Sequence, residues 1–238
     1  MPLTIGVLAG MGPRSTAPFI DMLVSTCQSL YGAKDDMDFP KMHIISLPTP
    51  FYPGRDLDDK KMILALQSGI TDLVKAKVNF IVVPCNLAHR YFADIEAAGA
   101  GIPILHMADC AIAKIPDATK NVAIIGTAPT IEAGFYQERL IAAGLKVVSS
   151  AGLLEHTTEL IILVKEKGFK DKAVTASWHS VLSEAAALGA QAVLVACTDI
   201  SPLIYDGPKP FVMIDTADSL AEAAIRYFIS LKEGYQVI

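Results

Sequence analysis

The 238-residue sequence predicts an α/β fold of two similar, Rossmann-like (flavodoxin-like) domains with pseudo-twofold symmetry, each built on a parallel sheet. Three observations predict it. Short apolar, β-branched runs alternate with longer helical patterns, which is the rhythm of βαβ units. The opening strand and turn, Ile5-Gly6-Val7-Leu8-Ala9-Gly10, recur as Val122-Ala123-Ile124-Ile125-Gly126-Thr127, and each is followed by a Pro and a helix. Each copy then leads to a strand that ends in cysteine: Cys85 lies 76 residues after Ala9, and Cys197 lies 71 after the matching Gly126.

In chain order, Thr4–Ala9, Lys41–Leu47, Val78–Pro84 and Pro103–His106 read as the strands of the first half. Val122–Ile125, Lys146–Ser149, Ala192–Ala196 and Phe211–Ile214 read as those of the second. Helices are predicted near 14–31, 57–76, 88–99, 108–114, 130–143, 155–167, 172–188, 200–205 and 217–232. Pro103-Ile104-Leu105-His106 and Pro210-Phe211-Val212-Met213 read as matching landmarks after the two cysteines. The domain boundary is expected near Met107–Asp109, with a second crossing near Asp215. That assigns residues 1–107 plus 217–238 to the first domain and 108–216 to the second, with the active site in the cleft between their strand ends.

Composition narrows the function. A chain 52% hydrophobic buries a sizeable core. A net charge of -5 with no basic cluster argues against a nucleic-acid partner, since affinity for phosphate backbones needs clustered Lys and Arg. The first cation is Arg14, so a charged secretory n-region is missing, and no apolar run reaches membrane-spanning length. Four cysteines in a chain this long do not make a disulfide framework. The expectation is a cytoplasmic protein with free thiols and no membrane or nucleic-acid partner.

Free cysteine is often a small buried hydrophobe, and Cys27 and Cys110, on helical patterns, fit that reading. Cys85 and Cys197 differ. Both end strands, both precede a hydrogen-bonding side chain (Asn86, Thr198), and both hold the same place in the repeat. A thiolate near a helix amino terminus accepts a proton near neutral pH, and an opposing thiol donates one. That pair suits removal of a proton from one face of a carbon and delivery to the other. Local zinc motifs of the Cys-x-x-Cys kind do not occur, although His89, four residues after Cys85, leaves open either a Cys/His ligand pair or a histidine that orients its own turn. The opening Gly6-Val7-Leu8-Ala9-Gly10-Met11-Gly12-Pro13 lacks the G-x-G-x-x-G fingerprint of dinucleotide sites and reads as a tight turn whose N–H groups hold a carboxylate, with Thr127 in the related position.

These segments resemble the cofactor-independent aspartate/glutamate racemases, which show an opening G-x-L-G-G-M-G-P, a P-C-N-T-A-H and a G-C-T-E. The matching residues are Gly6 to Pro13, Pro84-Cys85-Asn86-Leu87-Ala88-His89 and Ala196-Cys197-Thr198-Asp199, so the resemblance spans essentially the whole chain. It implies an amino-acid racemase acting on a small-molecule substrate, with no pyridoxal phosphate, no other cofactor and no metal, working as a homodimer. It also implies Cys85 and Cys197 as the catalytic pair, Asn86, Thr127 and Thr198 as holders of the substrate carboxylate and amino group, and Met11 beside the reacting carbon.

The aspartate-specific relatives hold the distal carboxylate with an Arg and a Lys. Arg55 is retained in the altered segment Tyr52-Pro53-Gly54-Arg55-Asp56, and Glu166 stands where the Lys falls two residues before Gly168, leaving Lys165 or Lys167 to substitute. A carboxylate at that position repels an acidic side chain. Arg55 and Glu166 also read as solvated charges. Maleate isomerase, hydantoin racemase and arylmalonate decarboxylase chemistry are enzyme alternatives within related folds, and a non-catalytic small-molecule binding protein is the alternative from another class.

Overall fold

A computed structural model describes residues 3–52, 55–205 and 209–236. The chain divides into two compact units, Met1–Met107 with Ala217–Ile238, and Ala108–Thr216.

In the first unit, β1 (Thr4–Ala9), β2 (Lys41–Ser46), β3 (Phe80–Val82) and β4 (Ile104–Leu105) form an all-parallel sheet in the order β2-β1-β3-β4. Every residue of β1 is buried, as expected of a central parallel strand covered on both faces, whereas the edge strand β2 is half exposed. The helices are α1 (Thr16–Tyr31), α2 (Asp59–Lys75) and α3 (Phe92–Ala98), with α9 (Thr216–Gln236) completing the unit from the far end of the chain. Tyr227 of α9 presents its ring edge-on to Phe80, with centroids 5.0 Å apart. Met62, Leu66, Ile70 and Leu73 form the apolar stripe of α2 and pack with Leu8, Ile81 and Val83.

The second unit repeats the arrangement: β5 (Asn121–Gly126), β6 (Lys146–Val148), β7 (Ala192–Ala196) and β8 (Val212–Asp215) lie parallel in the order β6-β5-β7-β8. Its helices are α4 (Met107–Ile112), α5 (Ala128–Glu132), α6 (Phe135–Ala142), α7 (Ala151–Lys167) and α8 (Lys172–Ala187). Trp178 of α8 and Leu160, Ile161 and Val164 of α7 pack with Val193 and Val195 on one face of the sheet, while Tyr136 and Leu140 pack with Leu194 on the other.

Register makes the duplication concrete. Ile5 pairs with Phe80 and Val122 with Ala192, and each partner lies five residues before its cysteine. The match extends to β4 and β8, but there it corrects the proline landmarks. Val82 pairs with Leu105 and Leu194 with Ile214, so Pro103 corresponds to Val212, not to Pro210. Ladder hydrogen bonds set that register, and a proline just outside a strand does not.

Four predicted helices differ. The 130–143 segment breaks at Gly134, whose φ of 74° is left-handed and favours glycine, and Gln137 Nε2 donates to the Ile131 carbonyl across the break at 2.7 Å. The helix after Cys85 is preceded by a 3-10 turn, Leu87–Tyr91, and the segment predicted as a helix after Cys197 is itself a 3-10 turn, Ser201–Tyr205. Helix α7 starts at Ala151, earlier than predicted, because the Ser150 hydroxyl caps it by accepting the Leu153 N–H at 2.9 Å.

Candidate active site

Each unit carries its cysteine at the carboxyl end of the strand next to the first, the edge at which open α/β sheets hold ligands. In the first unit Cys85 is buried in a cluster with Met11, Leu87 and Leu8. Its turn is closed tightly. The Val83 carbonyl accepts the Cys85 N–H at 2.8 Å, and His89 Nε2 lies 3.1 Å from the same oxygen. A carbonyl only accepts, so Nε2 carries the proton. His89 thereby orients its own turn, one of the two readings left open by its spacing. Its ring and that of His106, both buried, lie 4.6 Å apart between centroids, and Phe92 sits 4.4 Å from His106. Asn86 is almost fully buried, and its carbonyl accepts the His89 N–H at 3.1 Å.

The loop after β1 is shaped by Gly10. Its φ is 92°, and a Cβ there would lie 2.4 Å from the Leu47 backbone nitrogen. The Gly10 N–H donates to Thr16 Oγ1 at 3.0 Å, so the start of α1 takes one of the donors that the sequence offered to a carboxylate.

In the second unit Cys197 is buried beside Ile200 and Leu203, and its carbonyl accepts the Ile200 N–H at 3.1 Å. The carbonyl two residues before it, that of Val195, accepts the Thr216 hydroxyl at 2.8 Å. Ser201, four residues after Cys197 as His89 is after Cys85, donates its hydroxyl to Asp215 Oδ1 at 2.9 Å. Thr198 and Asp199 are buried. The Asp199 carboxylate forms an ion pair with Lys165 of α7, whose neighbours Glu166 and Lys167 are exposed. Thr127 lies at the start of α5, with its hydroxyl 2.8 Å from that of Thr130.

Arg55 is exposed, its guanidinium 5.3 Å above the Tyr52 ring, and Pro53 and Gly54 of its segment lie outside the described residues. The remaining cysteines have the environment of inert thiols. Burial pushes Cys110 up to about 11, with Asp109 adding to the shift, and burial likewise raises Cys27. Among the described residues no three His, Cys, Asp or Glu side chains are grouped to hold a metal ion, and no helix is long and apolar enough to cross a membrane.

Sequence reasoning singled out neither Thr216 nor Ser201, because each acts on a partner distant in the chain. The signal for Ser201 was its place four residues after Cys197. Thr216 carried none beyond following a strand.

Residues 8–224 match the sequence profile of the Asp/Glu/Hydantoin racemase family. The chain belongs to that family. This makes it an isomerase, in line with the resemblance carried by the Cys85 and Cys197 segments. The chain is 36% identical over 226 residues to the broad specificity amino-acid racemase RacX of Bacillus subtilis, covering 95% of this chain and 98% of that protein. In fold it resembles the aspartate racemase of Picrophilus torridus, with a TM-score of 0.78, 24% identity and 94% of each chain covered. It also resembles the glutamate racemase of Francisella tularensis solved with D-glutamate, with a TM-score of 0.70 and 16% identity over 97% of this chain and 82% of that one. At those identities the two structures speak to the fold alone. They carry the same two-sheet α/β architecture.

Proposed function

We propose that this racemase acts on free amino acids, with Cys85 and Cys197 as acid and base on opposite faces of the substrate α-carbon. The observation that carries the reading is the equivalence of the two buried cysteines: each lies five residues beyond the strand residue paired with Ile5 or with its counterpart Val122. Two thiols kept at matching strand ends, each followed by a buried polar residue, are what a reaction with two mirror-related substrates requires. The 36% identity to a protein named for broad amino-acid specificity supports the substrate class.

In the proposed cycle one cysteine starts as thiolate and takes the α-proton, while the other, as thiol, delivers a proton to the opposite face. Starting from the other enantiomer exchanges the roles. No cofactor enters the scheme, so charge developing on the substrate carboxylate is met by hydrogen bonds from Asn86, Thr127, Thr198 and nearby backbone N–H groups, with Met11 bordering the reacting carbon. Proton transfer from positioned groups of this kind contributes roughly 10²–10⁴-fold to rate. By the family resemblance the working form is a cytoplasmic homodimer.

Proton NMR in deuterated buffer tests this against a panel of L- and D-amino acids with acidic, neutral and basic side chains. Loss of the α-proton with inversion is the expected result. Loss without inversion, or no loss across the panel, contradicts the assignment.

A further inference from the structure

Three charged residues end α7, and only one turns inward. Glu166 and Lys167 are exposed, whereas the Lys165 side chain is 30% exposed and is paired to an Asp199 side chain that is 9% exposed. A carboxylate that deeply withdrawn from water needs a compensating partner, and Lys165 supplies it. The pair also has a fixed address. Two residues of chain span at most about 7 Å, so the Asp199 backbone lies within that distance of Cys197, and Thr198 sits between them. The Ile200 N–H to Cys197 carbonyl bond folds this stretch into a turn.

We propose that the Lys165–Asp199 pair is the specificity element of this racemase. An inward cation beside Cys197 and Thr198 on its own favours acidic substrates, and an inward anion on its own favours basic ones, because charges a few ångströms apart away from bulk water discriminate strongly. Held together they cancel. The wall beside Cys197 is then polar but without net charge, and the substrate class is amino acids irrespective of side-chain charge, with neutral ones meeting no penalty. This rests on the amino-acid racemase reading above and adds to it the residues that set its breadth.

The test uses glutamate, glutamine and lysine, similar in length and different in charge, with two readouts: kcat/KM for α-proton exchange, and affinity by calorimetry. For the unsubstituted protein the three kcat/KM values are expected to fall within about tenfold of one another, which is a difference of about 1.4 kcal/mol. Asp199→Asn releases the cation and raises the glutamate-to-glutamine ratio at least roughly tenfold, and Lys165→Met releases the anion and raises the lysine-to-glutamine ratio similarly. The double variant, neutral on both sides, returns both ratios to the starting values and serves as the folding control, since it leaves no buried charge alone. A clasp that merely ties α7 to the turn would change melting temperature and overall rate in all variants with the ratios unmoved, and that result overturns the proposal. Absence of exchange with every amino acid breaks the racemase reading instead, in which case the affinity ratios decide the proposal. Unmoved ratios, or no binding of any of the three, overturn it.

Discussion

In the first unit the carbonyl two residues before the cysteine is engaged by the imidazole of His89, four residues further along the chain. In the second the equivalent carbonyl is held by the Thr216 hydroxyl, reached from the start of α9. The strands beneath these turns keep one order and one register, because a central parallel strand buried on both faces has no freedom to slip without exposing its apolar side chains. The loops are under no such constraint. The loop after β1 needs a left-handed glycine at Gly10 and packs against Leu47, whereas its counterpart Thr127 has a φ of −65° open to any residue. The comparison teaches that the duplicated part of this protein is its framework, and that the framework delivers two cysteines to equivalent strand ends while each half fixes its own by different polar chemistry.

The largest effects should come from the feature the halves share. Replacing either Cys85 or Cys197 with Ala is expected to lower racemisation in both directions by about 10²–10⁴-fold, with circular dichroism unchanged. Normal turnover by either variant would remove that cysteine from the mechanism.

Next come the loops, where the halves should part. Gly10→Ala forces a Cβ onto the Leu47 backbone at a positive φ and should cost upwards of about 2 kcal/mol in denaturant-measured stability. Thr127→Ala, at the equivalent turn, should cost less than about 1 kcal/mol. Equal losses would mean that the two turns are not built differently.

A smaller effect is expected at the cysteine turns. His89→Leu removes one of two donors from the buried Val83 carbonyl and should lower kcat roughly tenfold, about 1.4 kcal/mol in barrier, with KM little changed. His89→Gln, whose amide still donates, should restore part of it. Failure of Gln to do better than Leu would assign His89 to packing against His106 and Phe92 alone. The smallest effect belongs to Thr216→Val, which keeps the shape and loses one hydroxyl. About 1 kcal/mol of stability and a few-fold in kcat are expected from paired unfolding and rate measurements.

Much of this was legible in the sequence because apolar patterning and strand register are two views of one constraint. Thr4–Ala9 and Ala192–Ala196 were read with the boundaries the structure has, and both cysteines were read at strand ends. What was not legible depended on helical phase or on contacts across the chain. An alignment by spacing to Gly168 pointed to Glu166, but burial of Thr157, Leu160, Ile161 and Val164 sets the inward face of α7, and Lys165, four residues after Ile161, lies at its margin. The hydroxyl of Thr216 meets Val195 twenty-one residues away, and no local pattern encodes that bond. The break at Gly134 was visible as a glycine but not as a left-handed one, since a glycine inside a helical pattern is often tolerated.

The central claim, that two different groups address the two faces of the α-carbon, is tested most directly by the isotopic fate of a single enantiomer. Racemisation of the preferred L-amino acid is started in deuterated buffer and stopped at low conversion, and deuterium at the α-carbon is measured separately in product and in remaining substrate. Two bases predict D-product almost fully deuterated while the remaining L-substrate keeps its proton, because the group that supplies the product's hydrogen never held the substrate's. Deuterium appearing equally in both, or protium carried over into the product, would mean that one group serves both faces and would contradict the assignment of Cys85 and Cys197 as a pair.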